Sequence, residues 1–170
     1  MKRFAVLLLL FSTFGLGAVG AGSAAEGNGY GPWESTFQGA ITAPAGAVCS
    51  FQVTAAPVRE DIRVRYHYDS AGNVDGYEST GQLIARITND ETGASVVRNL
   101  SGPGTVTLYP DGSYDATAGG NFLIFFLAQD DPAHQLLLIS GRTVLHGDAS
   151  GAKTLVSHEG QVENLCDTLA

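Results

Sequence analysis

The four histidines are the side chains best suited to move a proton at neutral pH, and imidazole is also a common metal ligand. They stand well apart in the sequence, at His67, His134, His146 and His158. No two of them have the spacing of a zinc site, and neither cysteine has a second cysteine or a histidine at ligand spacing. A pair of His146 and His158 across a hairpin would be an exception, but solvated strand histidines are more common than zinc ligands. We therefore expect no zinc site.

Two short stretches contain the residue types of a serine hydrolase. Ser157, His158 and Glu159 are consecutive, and neighbours on a strand point to opposite faces, so they do not form a Ser-His-acid relay by themselves. Residues 147–151, GDASG, have the composition of a turn, in a chain too short for the double barrel of the serine proteases. No catalytic set is assembled, which favours a protein that is not an enzyme.

Oxygen-bearing side chains crowd the stretch DSAGNVDGYE, residues 69–78. Calcium prefers hard oxygen ligands of this kind on a glycine-containing loop outside the cell. The spacing does not match an EF-hand, and acidic hairpin loops are ordinary on acidic proteins. Calcium is the one cofactor that the sequence suggests, and its candidate ligands are Asp69, Asn73, Asp75 and Glu78.

Three basic side chains alternate with apolar residues over residues 62–68, namely Arg63, Arg65 and His67. This period of two places them on one face of a strand, with Ile62, Val64, Tyr66 and Tyr68 on the other. Cross-strand pairing with carboxylates is the simpler interpretation. A small anion site is the functional alternative.

The elements that must position these residues are short β-strands. Alternating segments recur between turn signals, and no longer stretch keeps helical spacing. The clearest turn is Pro110-Asp111-Gly112, between β-rich residues 105–109 and 113–117, because proline presets the first position and glycine accepts the left-handed one. Eight or nine strands at hairpin spacing predict an all-β, single-domain antiparallel β-barrel, with a two-sheet β-sandwich as the alternative.

The start of the chain has the features of a secretory signal peptide. Lys2 and Arg3 precede an apolar stretch too short to span a bilayer, and small residues follow. We predict cleavage after Ala25, a flexible Gly-rich lead-in over residues 26–47 and the barrel over residues 48–170. The protein is therefore expected to be secreted, with no membrane association after cleavage.

The charge balance narrows the choice of partners. The chain has 17 acidic and 9 basic residues, a net charge of −8. Because it carries no basic stripe for phosphates, we expect neither nucleic acid nor an anionic membrane surface as a partner. The sequence gives no indication of the oligomeric state.

Two cysteines, Cys49 and Cys166, lie near the two ends of the predicted barrel. In an oxidising compartment an isolated pair is most simply a disulfide. Closing so long a loop is worth roughly 4–5 kcal/mol by the chain-entropy estimate. A bridge between the first and last strands would also fit the closure of a barrel.

Two apolar runs, residues 122–128 and 136–139, do not alternate as a half-exposed strand should. Burial of each large side chain is worth roughly 1.5–3 kcal/mol, so both faces of these strands need a cover. A narrow barrel covers one face, which predicts that the hairpin lines a ligand cavity or forms a docking surface. The alternative is a core strand buried between two layers. The expected contacts are Phe122, Phe125, Phe126 and Leu137.

Several stretches resemble a set of small secreted actinobacterial proteins without an assigned activity. The similarity rests on NLSGPGTVTLYPDGSYDATAGG, LLLISGR, CSF and GQVENLCDTLA, and extends over most of residues 49–170. It implies a secreted all-β protein with a Cys49–Cys166 pair, and it transfers no catalytic residue.

Three functions are compatible with these features. The favoured one is a secreted, non-catalytic module that binds an apolar ligand or a protein partner through the hairpin of residues 122–139. A small secreted barrel enzyme, a hydrolase or an isomerase with a polar site in the barrel mouth, is the alternative. A structural envelope protein is the third.

Overall fold

The computed structural model of the protein describes residues 29–170, in which almost all regular structure is β-strand. The predicted signal peptide, residues 1–25, lies outside the described residues. The strands are β1 (Gly29–Tyr30), β2 (Glu34–Thr36), β3 (Ile41–Ala43), β4 (Val53–Tyr68), β5 (Val74–Asn89), β6 (Ser95–Asn99), β7 (Gly104–Leu108), β8 (Tyr114–Ala118), β9 (Asn121–Phe126), β10 (Gln135–Ser140), β11 (Thr143–Gly147), β12 (Lys153–His158) and β13 (Val162–Asn164), and a helical turn, α1 (Leu165–Thr168), follows. Every pairing between these strands is antiparallel. The predicted all-β antiparallel class is confirmed.

Ten strands form one curled sheet, here called the main sheet, which builds a half-barrel. Seven of its strands follow the order β1-β4-β5-β7-β8-β11-β12. The other three lie off this path, where β2 and β3 pair with β4 and β6 pairs with β5. The turn between β7 and β8 is the one predicted at Pro110-Asp111-Gly112. The Asp111 carboxylate accepts the Ser113 backbone N–H at 2.9 Å, and Gly112 has a φ of +89°. Local turn chemistry therefore sets this hairpin.

The longest strands, β4 and β5, have 16 residues each and pair along almost their whole length. The alternating pattern predicted a strand over residues 62–68, and the observed strand begins nine residues earlier. A bulge at Pro57/Arg59 lets β4 continue past the proline. The two strands are long enough to pair with β3 and β6 near one end and with β1, β2 and β7 near the other.

The predicted lead-in, residues 26–47, belongs to the main sheet from Gly29 onward. Three short strands, β1 to β3, pair in turn with the free edge of β4. The Gly31 N–H adds a bond to the Tyr66 carbonyl at 2.8 Å. The glycine content suggested a flexible segment, but an unpaired β4 edge provides hydrogen-bond partners that fix it.

A second, small sheet consists of β13, β10 and β9 in that order. The apolar runs seen in the sequence are β9 and β10, and both of their faces are buried. One face joins a core cluster with β3, β4, β5, β6 and α1 through side chains such as Phe125 and Leu136. The other joins a cluster with β7, β8 and β11 through Phe126 and Ile139. The continuous apolar runs therefore follow from burial between two parts of the curled main sheet.

Cys49 and Cys166 form a disulfide with a Cα–Cα distance of 5.3 Å, which confirms the predicted pair. Cys49 precedes β4 and Cys166 lies in α1, so the bridge joins two segments outside the strands. The buried Leu165 and Leu169 pack next to it, and Asn89 Nδ2 donates to the Leu169 carbonyl at 2.9 Å. Such a bridge indicates a location outside the cytoplasm. Across residues 29–170 no helix has the length and apolar character needed to cross a bilayer.

Candidate functional site

The inner face of the main sheet and the start of β9 enclose a cavity of about 80 Å³. Phe122 and Leu123 of β9 line one side of it. The opposite wall comes from β5, β7, β8 and β11, with Tyr77, Val106, Ala116, Thr143 and Leu145. The volume is below the roughly 300–1,000 Å³ of pockets for drug-sized ligands but well above the ~10–15 Å³ that one water needs. It fits a short alkyl chain or one apolar side chain.

The most buried polar group of the cavity wall is the hydroxyl of Thr143. Thr143 is 1% exposed, and its Oγ1 has no hydrogen-bond partner among residues 29–170. Leaving such a group unpaired costs free energy. Burial is the main factor that raises the pKa of the Tyr77 phenol above its ordinary 10, so this group is neutral at physiological pH.

The four predicted contact residues divide between this cavity and the core. Phe122 is half-buried and lines the cavity. Phe125, Phe126 and Leu137 are only 1%, 0% and 4% exposed. They form no docking surface, because the main sheet covers the face of β9 and β10 that a narrow barrel would have left open.

The opposite face of the main sheet carries a row of residues that crosses five strands. Residues paired directly across antiparallel strands share a face. With neighbouring strands ~4.8 Å apart, such a row is about 19 Å long. We call it the polar row, and its members on β4, β5, β7, β8 and β11 are His67, Gly76, Thr107, Asp115 and His146.

At the β4 end of the polar row, a β-bulge brings a carboxylate to the histidine. The pairing of β4 and β5 shifts register here, and Asp75 has no direct partner on β4. Its carboxylate bonds to Nδ1 of His67. Bulges commonly redirect a side chain in this way. The ring of Tyr30 stands edge-on to the imidazole, with centroids 4.9 Å apart.

Arg65 lies on the same face and binds Glu78, its cross-strand partner. The Arg65 Nε and Nη2 atoms reach Glu78 Oε2 at 2.8 and 2.6 Å, and this contact is the main reason why the pKa of Glu78 lies below its ordinary value. The guanidinium carbon also lies 4.2 and 4.7 Å from the ring centroids of Tyr30 and Trp33. Cross-strand pairing is thus the role of Arg65, and the two aromatic rings cover this outer face.

At the β11 end, His146 and Tyr109 share one carboxylate. His146 Nδ1 lies 2.7 Å from Asp115 Oδ1, and the Tyr109 hydroxyl donates to Asp115 Oδ2 at 2.7 Å. The bond from His146, followed by that from Tyr109, lowers the pKa of Asp115. Both histidines of the row are therefore held through Nδ1, which leaves Nε2 as the nitrogen open to a ligand.

The four candidate calcium ligands do not converge on one point. Asp69 closes its own turn by accepting the N–H groups of Ala71 and Asn73, each at 2.8 Å. Asp75 binds His67 and Glu78 binds Arg65. Among the residues that the structure describes, no three His, Cys, Asp or Glu side chains stand together as a metal site would require.

Sequence reasoning missed two contacts. One is the bond between Asp115 and His146, and the other is a buried ion pair. Lys153 Nζ lies 2.6 Å from Asp130 Oδ2, with 3% and 0% of the two side chains exposed. The predicted turn at residues 110–112 fixes the pairing of β7 with β8, so Thr107 opposite Asp115 was within reach of the sequence. The neighbour of β8 on its other side, β11, was not, because two strands of the small sheet, β9 and β10, intervene in the chain.

Comparison of the chain with protein-family models, with curated proteins and with solved structures found no significant match.

Proposed function

We propose that this protein is a secreted, non-catalytic binding module that takes a small apolar group into the cavity between the main sheet and β9. The carrying observation is a partly open space of about 80 Å³ whose walls are mostly apolar and include Phe122. Binding sites for small molecules commonly have such walls.

The side chains around the cavity favour binding over catalysis. Of the described residues that line it, Tyr77 alone titrates, and its raised pKa keeps it protonated. A general base needs a pKa near the working pH and a place next to the reacting atom. The ligand that fits a mostly apolar space of this size is a short alkyl chain.

Secretion is part of the proposal. The disulfide favours an oxidising compartment, and the basic and apolar start of the sequence favours export through a cleaved signal peptide. Isolation of the mature protein from its host, with sequencing of its first residues, tests this part. Cleavage near Ala25 supports it, and a start at Met1 contradicts it.

Hexanol is a probe of suitable size, and Ala116→Leu is the variant that should block it. Ala116 is buried and lines the cavity, so the added carbon atoms enter empty space and stability should stay the same or rise. Amide shifts from NMR titration should saturate for the wild-type protein at β8 and β11 and disappear in the variant.

Ala85→Leu is the matched control, because Ala85 is buried in the other core cluster and does not line the cavity. Overpacking there should cost about 1–3 kcal/mol and leave hexanol binding intact. Absence of saturable shifts in the folded wild-type protein, or their persistence in Ala116→Leu, would contradict the proposal.

A further inference from the structure

We propose that the outer face of the main sheet is a second, independent binding site, for a short neutral oligosaccharide. The site is the polar row together with the aromatic side chains at its two ends. It lies on the opposite face of the sheet from the cavity, so neither proposal depends on the other. Its centre is a groove of about 260 Å³ beside β4, β5 and β7.

The floor of this groove is flat and polar. Gly76 contributes only backbone, and the exposed Thr105 and Thr107 contribute hydroxyls. A side chain at position 76 is excluded by packing, since a Cβ there would lie 2.6 Å from the Val106 carbonyl oxygen. The glycine therefore keeps the middle of the row open between the two histidines.

Three carboxylates of this face already have partners. Asp75 bonds to His67, Asp115 bonds to His146, and Glu78 forms an ion pair with Arg65. A free anion would meet three carboxylates, and a free cation would meet carboxylates that already have partners. A neutral ligand avoids both costs.

The remaining hydrogen-bonding capacity suits hydroxyl groups. The second nitrogen of each row histidine and the oxygens of its carboxylate can donate to or accept from a hydroxyl, as can the threonine hydroxyls. Rings stand at both ends, with Tyr30 47% and Tyr109 41% exposed. Adjacent polar edges and apolar rings match the two kinds of surface on a sugar. The 19 Å or so of the row accommodates several sugar units rather than one.

NMR titration of the intact disulfide-bonded protein tests this site, with maltotriose, cellotriose, xylotriose, mannotriose and chitotriose as probes. At least one should shift the amides of Gly76, Thr107 and Asp115 together. Thr107→Lys fills the groove floor at an exposed position, and His67→Ala removes a donor. Each should weaken binding about tenfold, as expected for one or two lost hydrogen bonds.

His158→Ala is the matched control, because His158 is exposed and stands outside the polar row. It should bind like the wild-type protein, and thermal melts should confirm that all three variants are folded. Inorganic phosphate and calcium chloride serve as charged probes. The proposal is overturned if only these shift the row, if no trisaccharide binds at millimolar concentration, or if binding survives Thr107→Lys.

Discussion

Lys153 and Asp130 form an ion pair that the protein encloses almost completely. Both carboxylate oxygens of Asp130 also accept backbone N–H groups, from Lys153 at 2.7 Å and from Leu127 at 2.6 Å. Asp130 thus holds the loop after β9 against the start of β12. The ammonium of Lys153 has a single carboxylate partner in the described part of the chain.

Asp130→Asn should destabilise the protein by about 3–5 kcal/mol, because it leaves a buried ammonium without a counter-charge. Lys153→Met should cost less, since the carboxylate keeps its two backbone donors. The double variant should recover part of the loss caused by Asp130→Asn alone. Urea unfolding of the four proteins forms the double-mutant cycle, and purely additive costs would show that the two charges are not coupled.

The aromatic residues near the N-terminus show how strand pairing decides which surface a side chain covers. Tyr30 and Trp33 contact Arg65, because β1 and β2 pair with β4 on the outer side of the molecule. Their place depends on strand pairing that composition does not specify.

At the scale of elements, one ion pair connects the two sheets. Arg98 of β6 donates to Glu163 of β13 through Nε at 2.8 Å and Nη2 at 2.7 Å. This contact, followed by the Thr168 hydroxyl, holds the pKa of Glu163 below its ordinary 4.5. A depressed carboxylate pKa stabilises the folded state above the unfolded pKa, and the contribution disappears as the pH falls through the folded value.

Glu163→Gln should therefore lower the free energy of unfolding by about 1 kcal/mol at pH 7, the upper range for a partly exposed pair. The difference from the wild-type protein should shrink as the pH drops below about 4.5, where the wild-type carboxylate also becomes neutral. Thermal melts from pH 7 to pH 3 measure both effects. Glu91→Gln, at an exposed position, is the control and should change little. A difference that stays constant with pH would contradict the assigned role.

Several elements could be predicted from local sequence, and the errors in these predictions have a common cause. The strands on either side of residues 110–112 were predicted within a residue or two. The strand predicted over residues 62–68 was too short, because Pro57 and the charges after it resemble a loop, while a bulge absorbs them. Bulges depend on the partner strand, which a local pattern does not include.

For the whole molecule, the disulfide is the main covalent constraint. It joins positions 117 residues apart and fixes α1 against the start of the long strands. The chain-entropy model assigns roughly 4–5 kcal/mol to a loop of this length.

Cys49→Ser with Cys166→Ser should lower the melting temperature by about 10 °C or more, given ~2–4 °C per kcal/mol for a chain of this size. Reduction of the wild-type protein should reproduce the shift. Thiol labelling of the unfolded, unreduced protein should find no free cysteine. Labelling at both positions, or a melting temperature that reduction leaves unchanged, would contradict this prediction.

The sequence by itself determined the all-β class, the hairpin at residues 110–112, the cysteine pair and the need to bury β9 and β10 on both faces. These features depend on turn chemistry, side-chain period and apolar content, which act over a few neighbouring residues. Only the tertiary structure decided that the main sheet covers both faces of β9 and β10, that a cavity remains beside Phe122, and that His67 and His146 share one outer face. Those outcomes depend on how a ten-strand sheet curls and on the register between strands far apart in the chain, and neither is encoded in any single segment.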